Sequence, residues 1–211
     1  MPLPLPPDEP GEVGYYVWEA YRPIYRVCAA AYQPNSFNGG SAPARFRPFA
    51  SGDADLVPTM YGSNRTDGAL GETVFHDAPS NGREWTVPRR VLYARVRAVL
   101  IPLRRLVLVD LTGWAHKALR LDGRALVDCG PSEYEVTAAW AQRFHALNEK
   151  PDGIYWRSRQ YDRAHAFILF GDRVASEELH VVFDETLALW QGIGLDEVLA
   201  AAERASITIT A

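Results

Sequence analysis

Cysteine is nearly absent: Cys28 and Cys129 are the whole complement of a 211-residue chain. They form no CxxC pair and no Cys/His cluster, so neither a zinc site nor a disulfide framework is expected. No apolar run approaches the length of a membrane span. The opening Met-Pro-Leu-Pro-Leu-Pro-Pro-Asp-Glu-Pro has no basic stretch and no apolar core, so no signal peptide is expected. Positive charge is not in excess. With 22 basic against 26 acidic residues the net charge is −4, which argues against general binding to nucleic acid or anionic membranes. Several motifs are missing: GxGxxG, the P-loop, the Gly-x-Ser-x-Gly elbow and His-Glu-x-x-His. Asn38-Gly-Gly-Ser41 is a glycine turn without the phosphate-loop lysine. These absences argue against a conventional Rossmann enzyme, kinase, serine hydrolase or zinc hydrolase. The expectation is a reduced, cytoplasmic protein.

An apolar content of 47% in a chain of this length suits one domain with a full core. Residues 1–14 are rich in proline and poor in core formers, and are expected to be an extended or mobile lead; residues 15–211 are expected to be a single domain. Strands are expected at Ile24–Cys28, Val91–Arg97, Arg105–Asp110, Gly153–Ser158, Ala166–Phe170 and Leu179–Phe183. Short helices are expected at 67–77 and Leu111–Arg120. Ser132–Leu147 is the clearest helix, opening on a Ser132/Glu135 capping box. A terminal helix is expected at Leu195–Ala205. Residues 33–56 are turn-rich, and their embedded Phe and Arg residues suggest a functional surface loop. Strands outnumber long helices and do not alternate with them. The fold class is therefore α+β, with mixed or antiparallel sheets and flanking helices.

The most informative stretch is Pro58–His76. It reads as a strand ending in Tyr61, a polar turn, and a helix with Asp67 as N-cap and Leu70 and Val74 on its apolar face. Glu72 and His76, four apart, share a helical face. On spacing alone a solvated pair is the simpler explanation. Five pieces in order change that: Tyr25-Arg26, Arg45-Phe46, Tyr61, Gly68-Ala-Leu-Gly-Glu72, and Asp152-Gly-Ile-Tyr-Trp-Arg-Ser158-Arg159. The series resembles the RES-domain family over roughly residues 22–173. The chain departs from the family pattern in having Ala44 before Arg45 where Gly is usual, and Arg159 directly after Ser158.

The resemblance implies a fold like that of ADP-ribosyltransferase toxins. It also implies a toxin of a bacterial toxin–antitoxin pair, one that degrades NAD by hydrolysis or phosphorolysis and is blocked by a helix-turn-helix antitoxin. NAD would be substrate and phosphate a possible co-substrate, with no cofactor, no metal, and no nucleic-acid or membrane partner. Loss of nicotinamide leaves an oxocarbenium-like ribose, which calls for a facing carboxylate. Glu72 is the candidate, with Arg26 as its catalytic companion. Pyrophosphate calls for arginine, pointing to Arg26, which must find a partner within an apolar strand, and to Arg45 or equally Arg47, with Arg159 a lesser choice. Tyr61 would stack on nicotinamide, and Ser158 would bind nicotinamide or ribose. Ser132 and Thr137 are explained by the helix, His76 as a structural neighbour, and His145 and Trp140 as packing. Two alternatives stand beside this: a transferase moving ADP-ribose to a macromolecule, and a non-catalytic binding protein on the same scaffold.

Overall fold

Arg95–Pro102, Leu106–Asp110 and His165–Phe170 are apolar, β-branched or aromatic, and too short for helices; they become strands buried on both faces. The computed structural model describes residues 2–40, 44–52, 55–76, 78–80 and 82–211. Its elements in chain order are β1 (Tyr15–Trp18), β2 (Ile24–Ala29), β3 (Phe49–Ala50), β4 (Leu56–Val57), β5 (Thr59–Ser63), α1 (Thr66–Gly71), β6 (Trp85–Pro88), β7 (Arg95–Pro102), β8 (Leu106–Asp110), α2 (Ala115–Ala118), α3 (Ala125–Asp128), α4 (Tyr134–His145), β9 (Gly153–Arg157), β10 (His165–Phe170), β11 (Leu179–Val181), β12 (Leu187–Ala188), α5 (Gly192–Arg204) and β13 (Ile207–Thr210).

The main sheet runs β1-β8-β9-β10-β5-β2-β7-β11, with β12 also on β7. Within it only β8–β9 is parallel. The expected α+β class with a mixed sheet is what the chain forms. One join matters for the site: β5 and β2 share the single register pair Tyr25↔Ser63, whereas β2 and β7 share six, Ile24↔Leu100 through Ala29↔Arg95. The sheet is thus two halves touching at one point. α4 packs Trp140, Ala141 and Phe144 against one half, over Trp156, Ile168 and Phe170. α1 and α5 pack Leu70, Val198 and Ala202 beside the other, near Val27. No helix among the described residues is long and apolar enough to cross a membrane.

Several local expectations change. The first helix stops at Gly71 rather than near Asp77, which lies outside the described residues. Gly68 and Gly71 are weak helix formers, and Thr73 and Val74 are β-branched. The chain instead closes on Leu70, whose carbonyl accepts from Val74 N at 2.8 Å and Phe75 N at 3.0 Å. Glu72 is therefore the C-cap and His76 lies beyond the helix. Arg65, not Asp67, is the N-cap; Asp67 instead pairs with Arg204 at 2.6 Å.

The expected Ser132/Glu135 box does not form. α4 starts at Tyr134 after a single 3-10 turn, and it is Glu133 that accepts from Gly130 N at 3.4 Å and Leu3 N at 2.8 Å. Glu135 reaches Arg47 instead. The strand expected from Val91 begins only at Arg95, because a 3-10 turn follows Pro88. The short parallel pair β6–β13 is not among the expected strands. The Pro-rich lead is extended and fastened: Trp140 Nε1 donates to Pro4 O at 2.8 Å, Asp8 pairs with Arg143 at 3.1 Å, and Leu3 is buried in the core.

Candidate active site

Past Tyr25↔Ser63 the two half-sheets part, and the segment 33–40 enters the gap. Asn38 bridges Thr59 of β5 through bonds of 2.9 and 3.0 Å. Arg26 of β2 holds the segment from the other side, its Nη1 donating to Pro34 O at 2.8 Å and Ser36 O at 2.7 Å. A cleft of about 880 Å³ opens there. Arg26, Arg45, Tyr61 and Glu72 all border it, as do Arg47 and His76.

Sheet register explains how distant segments meet. β10 pairs antiparallel with both β9 and β5, through His165↔Arg157 and Ala166↔Ser63. The exits of β9 and β5 therefore lie at the same end of β10. One exit leads to Ser158, the other through α1 to Glu72. The Glu72 side chain is only 6% exposed. Its Oε1 accepts from Ser158 Oγ at 2.7 Å and from Arg159 N at 3.2 Å. Ser158 Oγ in turn accepts from Gln160 N and Tyr161 N at 3.2 and 3.1 Å, so its one proton is directed to the carboxylate. Ser158 is buried and does not border the cleft. The structure places it against Glu72, outside the lining of the cleft.

Arg45 Nη1 stands 3.7 Å from Glu72 Oε2. Phe46 adopts a left-handed backbone, φ 54°, a conformation costing roughly 1 kcal/mol in a non-glycine residue. Its ring packs 5.3 Å from Trp156, and its N–H donates to Thr137 Oγ1 at 3.3 Å. This turn points Arg45 inward, where Nε and Nη2 are buried and have no hydrogen-bond partner among the described residues. Arg47 Nε is in the same condition, although Arg47 Nη2 meets Glu135 at 2.5 Å. Buried donors of this kind are costly unless an acceptor is supplied.

Burial pushes the Tyr61 phenol well above its ordinary value, against the pull of Arg45, so the phenol remains a donor. Its ring meets Trp156 edge-on. Burial likewise lowers the Arg26 guanidinium.

Other candidates fall outside the site. Ser132 is exposed. Thr137 donates to Tyr134 O at 2.9 Å. His145 meets Asp172 at 2.7 Å among Phe49 and Phe170. The cleft lining also includes residues that the sequence does not mark as candidates, among them Cys28, Thr73 and Tyr134. Cys28 was legible in principle, because it follows Arg26 by two on a strand and so shares its face. Burial raises its thiol, against the pull of Arg26, which leaves it a weak nucleophile.

Comparison with known proteins bears on the fold and the family. A chain of the crystal structure described as the M. tuberculosis MbcT–MbcA toxin–antitoxin complex shares the fold, with a TM-score of 0.54 over 78% of this chain and 83% of that one at 17% identity. No curated protein matches in sequence. The family model of the RES domain matches residues 23–190, well over half of the chain, and the protein belongs to the RES domain family.

Proposed function

We propose that the protein cleaves the bond between nicotinamide and ribose in NAD, by phosphorolysis or hydrolysis, and acts as the toxin of a toxin–antitoxin pair. Family membership and a structural neighbour from a toxin–antitoxin complex support the biological role. The partner would be a helix-turn-helix antitoxin covering the cleft, and the reaction would take place in the cytoplasm.

One observation carries the chemistry: the Glu72 carboxylate sits at the cleft, pinned by Ser158 Oγ and Arg159 N, beside Arg45 donors that have no partner among the described residues. As the C1′–N bond breaks, nicotinamide leaves with the electron pair and its ring becomes neutral. Positive charge moves onto the ribose, and Glu72 faces it. A fixed carboxylate needs no reorganisation as that charge develops. Water or phosphate then attacks C1′, water losing a proton. The Arg45 and Arg47 donors suit either the pyrophosphate of the substrate or an attacking phosphate. Tyr61 offers a flat face to the nicotinamide.

The test is NAD consumption by purified protein with and without phosphate, alongside Glu72→Ala. Loss in the wild type alone supports the reaction, and dependence on phosphate selects phosphorolysis. ADP-ribose retained on a macromolecule would indicate transfer. No consumption by folded, inhibitor-free protein would overturn the enzymatic reading in favour of a binding protein.

A further inference from the structure

A second pocket, about 450 Å³, lies beside the end of α1. Its outer wall is the last turn of α5 together with Ile207 of β13, elements beyond the residues matched by the family model. They close against Gly71 and Phe75 and against the turn 159–161. His76 borders both pockets, so the two adjoin. Arg159 lines the second pocket and is tied through its backbone to Glu72, which lines the first. The Arg159 N–H donates to Glu72 Oε1 at 3.2 Å, and its Nη1 reaches Cys129 O at 3.0 Å.

The lining is that of a site for a flat, polar-edged ring. Trp85, 53% exposed, and Tyr161 offer aromatic faces over an apolar floor. Gln160 presents an exposed side-chain amide, which both donates and accepts and thereby suits the edge of adenine. Asp67 is neutralised by Arg204, so the guanidinium of Arg159 sets the local charge. Two adjoining sites for rings, the second with a guanidinium in its wall, match a molecule of two rings joined by a pyrophosphate.

Resting on the functional reading above, we propose that this second pocket holds the adenosine half of the dinucleotide while the nicotinamide half lies against Glu72 and Tyr61. Binding energy gathered there holds C1′ at the carboxylate without itself touching the reacting bond.

The test compares NAD with nicotinamide mononucleotide, which lacks the adenosine half, using Trp85→Ala and Gln160→Ala. Both side chains are exposed, and neither belongs to the core. Stacking on an aromatic contributes about 1–3 kcal/mol per base. Trp85→Ala should therefore raise KM for NAD about tenfold or more, with KM for the mononucleotide unchanged and Trp85→Phe restoring most of the loss. Gln160→Ala should raise KM for NAD several-fold in the same selective way. AMP should compete with NAD, and Trp85→Ala should weaken its inhibition by the same factor. An unchanged KM for NAD in both variants overturns the proposal, as do equal losses for the two substrates or AMP inhibition that is not competitive. A wild type that consumes neither substrate overturns the functional reading, and this proposal with it. NAD consumption with unaltered variants overturns this proposal alone.

Discussion

Ser158→Ala separates a residue that positions the carboxylate from one that touches substrate. The substitution removes the 2.7 Å bond from Oγ to Glu72 Oε1 and leaves only the longer bond from Arg159 N on that oxygen. A hydrogen bond to a charged group contributes about 1.5–3 kcal/mol. Where that bond holds the carboxylate toward the ribose, the loss appears in the transition state, and kcat falls roughly 10- to 100-fold. KM should stay near the wild-type value, because Ser158 does not border the cleft. Stability falls by a similar amount, about 1.5–3 kcal/mol, since Gln160 N and Tyr161 N lose their acceptor as well, and a melting curve taken in parallel shows that the variant is folded. Initial rates of NAD consumption give kcat and KM, and Glu72→Gln completes a double-mutant cycle. With Glu72 already changed, Ser158→Ala should do little more, because the two act as a unit. A kcat within about threefold of wild type, or a loss confined to KM, would refute this account and return Ser158 to a substrate contact.

Gly68→Ala should destabilise, although Ala is favoured over Gly in a helix by about 1 kcal/mol. A Cβ there would lie 2.3 Å from Ser63 Oγ and 2.7 Å from Ala164 Cβ, and overpacking of that kind costs about 1–3 kcal/mol. A lowered urea midpoint is expected; a raised one would show that the β5–α1 corner yields. His116 supplies a pH dependence. Burial, with Arg124 adding to it, pushes its pKa from 6.5 down to about 4. Between those values the unfolded chain binds a proton that the folded protein does not, so stability is fully present above 6.5 and falls as pH drops toward 4. The loss approaches about 3 kcal/mol near the lower end. His116→Leu should flatten this part of the pH–stability curve, and an unchanged slope would assign it to other groups.

Local pattern determined much of this protein. The apolar runs that became β8, β9 and β10 announce themselves, as do the amphipathic faces of α4 and α5, because burial imposes periods of two or 3.6 on neighbouring residues. The order of Tyr25-Arg26, Arg45, Tyr61, Glu72 and Ser158 along the chain was enough to indicate the family that the match over 23–190 shows. The start of β7 is not marked in the sequence, since Ala98, Val99 and Leu100 are all buried and leave no alternation to mark it. The end of α1 was read too late, since the capture of Val74 N and Phe75 N by one carbonyl has no signature in side-chain spacing.

What only the tertiary structure decided is who meets whom. Glu72 and Ser158 are 86 residues apart, and they touch because β10 pairs with the strands leading to both. Arg45 turns inward because Phe46 takes a left-handed backbone to fill the core beside Trp156. The cleft exists because β2 and β5 are held together at one register pair and part beyond it. The lead of residues 2–8 is fastened by α4, and the second pocket is closed by α5 and β13. Such contacts depend on strand order and on packing between distant segments, which periodicity along the chain does not encode.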